Sequence, residues 1–320
     1  MIRAALIGLG NIAWKYDANA PKSPFALSQA GALRRHAETE LVGGCSPEAA
    51  DRQGFAVWSG GIPTFSDPES MLAQTRPDFV GICSPASEHF AHARLCLESG
   101  VRMLWLEKPP TETLPEFQDL LAQAEKINAV VCVNYFRRYL PSYRNMRERL
   151  RANTLGRCFQ FTVQYSPGLA RNGVHLLDLC FFLSDADGYT VLWVEKSNAI
   201  NPAFAVRLNT GQLVLGSGGE MPYHTNDITA VCEAGTIAIL RGGKNARIEK
   251  RVENDLFPGF YELRETVDDS LGPTSLDGYM DNALDDLVTS CKKNEFPQSN
   301  LRSAFHTQRL LEELLYEATL

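Results

Sequence analysis

Two groups of residues have types and spacings that could do chemistry. The first centres on Lys108, in Glu107-Lys108-Pro109-Pro110, directly after the apolar run 101–106. Open α/β sheets bind ligands in the crevice at the carboxyl ends of their strands, so an ammonium there points at a ligand. Beside a nicotinamide it can polarise a substrate hydroxyl and stabilise the developing alkoxide. The chain itself opens with an apolar run, 2–7, followed by Gly8-Leu9-Gly10-Asn11-Ile12-Ala13. That is a strand entering a glycine-rich turn, with alanine at the third glycine position. Glycines permit the tight turn and the close approach of backbone to a pyrophosphate, whose charge is favoured at a helix N-terminus. Gly8, Gly10, Asn11 and Ile12 are therefore candidate cofactor contacts, and Glu107 and Lys108 face the same ligand. In this order the two motifs point to a nicotinamide-dependent oxidoreductase.

The second group is Arg171-Asn172-Gly173-Val174-His175-Leu176-Leu177-Asp178. A helix starting near Gly173 puts His175 in its first turn and Asp178 one turn on, on a shared face. An imidazole titrating near neutrality can accept a hydroxyl proton as hydride leaves carbon. Asp178 would orient that ring or contact neighbouring backbone. Lys108 and His175 are thus the expected catalytic pair. Tyr135 and Arg138, in the run 134–139 after another strand, are expected substrate contacts together with Tyr165, Arg171, Asn172 and Asp178. Tyr223 and His224 are weaker candidates.

The cofactor itself is NAD or NADP. An acidic residue is expected at the end of the second strand, where it binds the ribose 2′-hydroxyl, but Ser46 stands there, followed by Pro47. Arg52 could reach a 2′-phosphate, yet no arginine directly follows the serine, so the expectation leans slightly to NAD. Ser84 and Pro85, in a turn of small residues after the third strand, would lie against the flat ligand, with His89 close behind and Ser87 capping the next helix. His89 and His92 have the spacing of a metal pair without a suitable third ligand nearby, so no metal is expected.

The elements that must position these residues fall into two patterns. Apolar runs at 2–7, 40–45, 79–83, 101–106 and 129–133 read as strands covered on both faces, separated by amphipathic stretches such as 90–99 and 114–127. This βα alternation predicts a doubly wound parallel sheet. One irregularity, 14–27 with Pro21 and Pro24, reads as an inserted loop. Runs at 159–165, 190–197, 203–209, 212–217, 227–233, 236–240, 246–252 and 262–267 then follow on tight turns at 209–211, 233–235 and 241–244. They predict a mostly antiparallel sheet in an α+β domain, with helices over 174–183, 276–293 and 302–318. The expected division is a dinucleotide-binding domain at 1–134, a substrate and oligomerisation domain at 135–300, and a last helix at 301–320 that packs back on the first domain.

Composition narrows the classes. The chain has 320 residues, with 31 Lys plus Arg against 38 Asp plus Glu, a net charge of −7. No dense basic stripe suggests nucleic acid. No run approaches the ~20 apolar residues of a membrane helix. Eight cysteines are scattered without a CxxC pair, which argues against a disulfide framework. A cytoplasmic protein is expected.

On the motifs GLGNIA (8–13), CSPASEH (83–89), EKPP (107–110), NYFRR (134–138) and NGVHLLD (172–178), the chain resembles the glucose–fructose oxidoreductase / inositol dehydrogenase / MocA family along nearly its whole length. That resemblance implies a Rossmann domain plus an open, mostly antiparallel sheet whose far face commonly forms a homodimer or homotetramer. It places the family's lysine and histidine on Lys108 and His175. It implies hydride transfer between NAD(P) and a secondary hydroxyl or ketone of a sugar, nucleotide-sugar or cyclitol. Two other outcomes exist among relatives: glycoside hydrolysis by transient oxidation and elimination on retained NAD, and dinucleotide sensing without turnover. Many members carry Asp or Asn four residues before the histidine; here Arg171 stands there and Asn172 follows.

Overall fold

The computed structural model describes residues 1–266, 271–273 and 275–320. They form two compact units, 1–136 with 277–304, and 137–276 with 305–320. The first unit contains β1 (Ile2–Ile7), α1 (Tyr16–Asn19), α2 (Gln29–Arg35), β2 (Thr39–Cys45), α3 (Ala49–Ser59), β3 (Thr64–Phe65) and α4 (Pro68–Thr75). It continues with β4 (Phe79–Ile82), α5 (His89–Glu98), β5 (Met103–Leu106), α6 (Leu114–Lys126) and β6 (Val130–Val133). Its sheet is parallel throughout, in the order β3-β2-β1-β4-β5-β6. Every residue of β4, β5 and β6 is buried, which is why those strands read as continuous apolar runs. The two-residue β3 was not foreseen; it is too short to show a period.

The segment expected to be an inserted loop is built differently. A π-helical turn, Asn11–Lys15, begins directly after the glycine turn and runs into α1. Trp14 anchors it, donating its indole N–H to Leu9 O (2.8 Å) and meeting the Phe55 ring edge-on. The buried Asp17 carboxylate then accepts from Leu27 N (3.1 Å) and Ser28 Oγ. Ser28 caps α2 by accepting from Gly31 N (3.2 Å). The turn into α5 has no side-chain cap, so the capping expected of Ser87 is absent. By contrast, α6 starts with a full capping box between Thr113 and Glu116.

The second unit contains α7 (Pro141–Arg151), β7 (Cys158–Ser166), α8 (Val174–Ser184), β8 (Tyr189–Val194), β9 (Phe204–Leu208) and β10 (Leu213–Gly218). It ends its sheet with β11 (Thr225–Cys232), β12 (Gly235–Leu240), β13 (Asn245–Glu253) and β14 (Tyr261–Thr266). Val267, assigned to the last strand by its residue pattern, lies outside the described residues. The eight strands run β14-β13-β12-β11-β7-β10-β9-β8, antiparallel except for the β7–β10 pair. A hairpin turn reveals only which consecutive strands pair, so a parallel pair made by a return connection leaves no local signal. All of α8 from Val174 to Leu183 is buried.

Two closing helices follow, α9 (Tyr279–Lys293) and α10 (Leu301–Thr319). Here the units depart from the expected division. The first unit takes 277–304, whereas α10 from Phe305 onward groups with the second. There Thr307 bonds Asp178, Glu313 accepts from Tyr189 Oη (2.8 Å) and Glu317 pairs with Lys196 (2.9 Å).

Candidate functional site

In the first unit the strand order reverses between β1 and β4, and the crevice at such a switch point is where doubly wound sheets hold ligands. Gly8 and Ser84 lie at its two lips. Gly8 has φ +87°, and a Cβ there would stand 2.4 Å from Ser84 N and 2.5 Å from Cys83 C. Only glycine lets these two turns touch. Gly10 is the opposite case, because a Cβ built on it meets no protein atom within 4 Å. Asn11 and Ile12 follow at the start of the helical turn, which Gly10 cannot cap with a side chain. Open space above a helix start, lined by backbone amides, fits the pyrophosphate of a dinucleotide.

At the end of β2, Ser46 is buried, and its Oγ accepts from Glu48 N (3.2 Å) in a serine turn. Arg52 Nη1 donates to the carbonyls of Ser46 and Pro47, both at 2.7 Å. Arg52 therefore braces the turn rather than extending toward a 2′-phosphate.

The turn that carries Lys108 is fastened from two sides. The Lys108–Pro109 peptide is cis. His89 is buried, with Nδ1 2.6 Å from Pro109 O and Nε2 2.9 Å from Ser84 O. Its imidazole thus ties the β4 and β5 turns together. His92 Nδ1 meets Ser84 Oγ at 2.9 Å, and burial lowers its pKa. Among the described residues, no group of three His, Cys, Asp or Glu side chains could hold a metal.

On the other side, Glu107 Oε1 accepts from Asn134 Nδ2 (2.6 Å) and Gln29 Nε2 (3.0 Å). Burial pushes the Glu107 carboxyl up, opposed by those two amides and by Lys108. Gln29 went unnoticed in the sequence. The signal that could have found it is Gly81, whose Cβ would stand 2.3 Å from Gln29 Oε1. A glycine inside a buried strand marks where another group comes close. Tyr135 is fully buried in this unit.

In the second unit, β7 ends at Ser166, followed by cis Pro167 and Gly168 at φ +78°. A π-helical turn, Leu169–Gly173, leads into α8 and sets buried His175 in its first turn. Gly173 is needed there, since a Cβ would meet Leu169 Cδ1 at 2.7 Å and Tyr165 Cγ at 2.9 Å. Asn172 Nδ2 donates to Ser166 O (2.8 Å) and lies 3.2 Å from His224 Nδ1, while Asn172 O accepts from Asn226 Nδ2 (3.0 Å). Asn172 and His224 are therefore brought together, with Arg171 exposed beside them.

Three residues of the expected substrate site lie in the interior of this unit. Arg138 and Asp178 are both buried and form a two-pronged ion pair, Nε–Oδ2 2.8 Å and Nη2–Oδ1 2.6 Å. Thr307 Oγ1 adds a contact at 3.3 Å. Burial pushes the Asp178 carboxyl up and Arg138 opposes it. Arg138 and Asp178 thus neutralise each other in the interior of this unit. Tyr165 belongs to the core, its ring stacked on Phe204 and its hydroxyl donated to Pro202 O, and burial raises its phenol.

Comparisons with known proteins agree with this architecture. Residues 2–135 match the family described as "Oxidoreductase family, NAD-binding Rossmann fold", GFO_IDH_MocA. The chain is 28% identical over 254 residues to D-glucoside 3-dehydrogenase of Escherichia coli K12, covering 76% of this chain and 68% of that one. It is 25% identical over 156 residues to scyllo-inositol 2-dehydrogenase (NAD+) of Bacillus subtilis, covering 49% and 42%. Among solved structures, the WlbA dehydrogenase of Chromobacterium violaceum, in complex with NADH and UDP-GlcNAcA, superposes with a TM-score of 0.78 at 18% identity. That superposition covers 99% of this chain and 93% of the other.

Proposed function

We propose, from the match of residues 2–135 to the GFO_IDH_MocA oxidoreductase family, that the chain moves hydride between a nicotinamide dinucleotide and a secondary hydroxyl or ketone of a sugar, nucleotide-sugar or cyclitol. A glycoside is the favoured substrate class, because D-glucoside 3-dehydrogenase aligns over 76% of the chain. When bound, the dinucleotide supplies the hydride acceptor, or the donor in reverse. Gly8, Gly10, Asn11 and Ile12 hold its pyrophosphate through backbone amides, and the Ser84–Pro85 backbone faces its flat ring. NAD is the favoured form, since Arg52 is engaged by the Ser46 and Pro47 carbonyls.

Lys108 donates a hydrogen bond to the reacting oxygen and stabilises it as an alkoxide. Glu107, fixed by Gln29 and Asn134, holds its side chain next to Lys108 in the turn. His175 takes the hydroxyl proton and returns it in the reverse direction. Asn172 and His224 offer polar groups to the substrate's other hydroxyls. Assembly as a homodimer or homotetramer through the eight-stranded sheet is part of the same reading, supported by the exposure of Leu192, Trp193, Tyr261 and Leu263 on it.

The observation that carries the proposal is the Lys108 turn, held by His89 and the Glu107 network in the unit whose Gly10 faces open space. It is tested by offering NAD+ and NADP+ with a panel of glycosides, nucleotide-sugars and cyclitols and following reduced-nicotinamide absorbance. Substrate-dependent reduction with at least one panel member is expected. Failure to bind either dinucleotide would overturn the proposal. Glycoside cleavage without accumulating reduced cofactor would replace it with the hydrolytic reading.

A further inference from the structure

At the end of β7 farthest from His175, Cys158 stands directly opposite Cys232 of the antiparallel neighbour β11. The register shifts there: Val231 pairs with Gln160, and Cys232 with Cys158, so Phe159 is the extra residue of a bulge. Phe159 is exposed. Directly opposed residues on antiparallel strands have Cβ atoms about 4.5–5.5 Å apart, and local adjustment at a bulge brings them within the reach of a disulfide. The Cys158 thiol donates to Gln160 O at 3.6 Å. Cys158 is half-buried and Cys232 almost fully buried, so one sulfur is open to a reagent and the second waits behind it.

We propose that Cys158 and Cys232 form a reversible cross-strand disulfide when the folded protein meets a disulfide oxidant such as oxidised glutathione. Cys158, as thiolate, attacks one sulfur of the oxidant, forming a mixed disulfide and releasing one glutathione thiolate. Cys232 then loses its proton and displaces the second glutathione from Cys158. The protein gives up two electrons and two protons, and the oxidant leaves as two thiols.

The direction of the thiol shifts fits this order of attack. The neighbouring Cys232 side chain lowers the Cys158 thiol against the opposing effect of burial. The Cys232 thiol is raised by Cys158 and by burial. The bond would pin the register of a strand pair whose other end carries Ser166 and Asn226, which accept from and donate to Asn172 of the following turn.

The test is native protein incubated with oxidised glutathione, quenched by alkylation and digested. A Cys158–Cys232 linked peptide and an intact-mass loss of about 2 Da relative to the reduced protein are expected, reversed by dithiothreitol. Cys158→Ser and Cys232→Ser should each abolish the linkage. Cys180→Ser, on the buried helix nearby, should leave it intact. The oxidised wild type should also unfold at higher urea than the reduced form, a shift absent in Cys158→Ser. The proposal is overturned if Cys158 joins Cys180 instead. It is equally overturned if half-buried Cys291 becomes glutathionylated while Cys158 and Cys232 stay reduced. Neither of those outcomes depends on a variant folding.

Discussion

Arg138 and Asp178 offer the sharpest test of what the second unit's polar residues are for. Their side chains are 4% and 1% exposed, so removing one leaves the other as a buried charge. Arg138→Met keeps the aliphatic stem and deletes the guanidinium, leaving the Asp178 carboxylate with Thr307 Oγ1 at 3.3 Å as its hydrogen-bond donor. Breaking a buried pair from one side costs about 3–5 kcal/mol. With a urea slope of about 3 kcal/mol/M, the unfolding midpoint should fall by about 1–2 M. The double variant Arg138→Met/Asp178→Leu removes both charges and should return close to the wild-type midpoint, because apolar replacement of a buried pair is often neutral or stabilising. Equilibrium urea unfolding, followed by far-ultraviolet circular dichroism, reads all three proteins. If Arg138→Met unfolds at the wild-type midpoint with unchanged slope while KM for substrate rises sharply, Arg138 is a ligand contact and the structural assignment fails.

Two further predictions separate ligand space from fold and locate a pH dependence. Gly8→Ala should both destabilise the first unit and abolish dinucleotide binding, because its Cβ would strike the Cys83–Ser84 backbone at 2.4–2.6 Å. Gly10→Ala should keep stability within about 0.5 kcal/mol yet weaken binding about tenfold or more, since its Cβ would enter open space; equal binding by wild type and Gly10→Ala in a fluorescence titration would remove that space from the cofactor site. Asp185 is pushed up by burial but held below its ordinary 3.8 by Arg151 and Arg147. Its contribution to stability is therefore present above pH 3.8 and lost as pH falls through the lower folded-state value. The gap between wild-type and Asp185→Asn unfolding midpoints should be open at neutral pH and close on acidification. A gap independent of pH would contradict the assignment.

What was legible in the sequence follows from locality. Strands β1, β4, β5 and β6 were visible because helices cover both faces and leave unbroken apolar runs. The antiparallel hairpins showed themselves through Gly211 and Gly235, both at positive φ. The helical character of residues 11–19 was hidden by the nearby Pro21 and Pro24 and by a π-helical start. Side-chain pairings across long separations left no pattern to read. Arg138 and Asp178 lie 40 residues apart, and Gln29 and Glu107 lie 78 apart. His175 and Asp178 shared a helix face as expected, yet the carboxylate turned to a partner on another element. Lys108 was conspicuous because an ammonium after a buried strand has few reasons to be there; the atoms that fasten its turn were not.

In the proposed reaction Lys108 acts on the reacting oxygen. The most direct measurement compares wild type with Lys108→Ala on the first substrate found to reduce cofactor, alongside dinucleotide titrations of both proteins. Turnover should fall by about 10²–10⁴-fold while dinucleotide affinity changes only a few-fold. Wild-type turnover by Lys108→Ala would contradict the account.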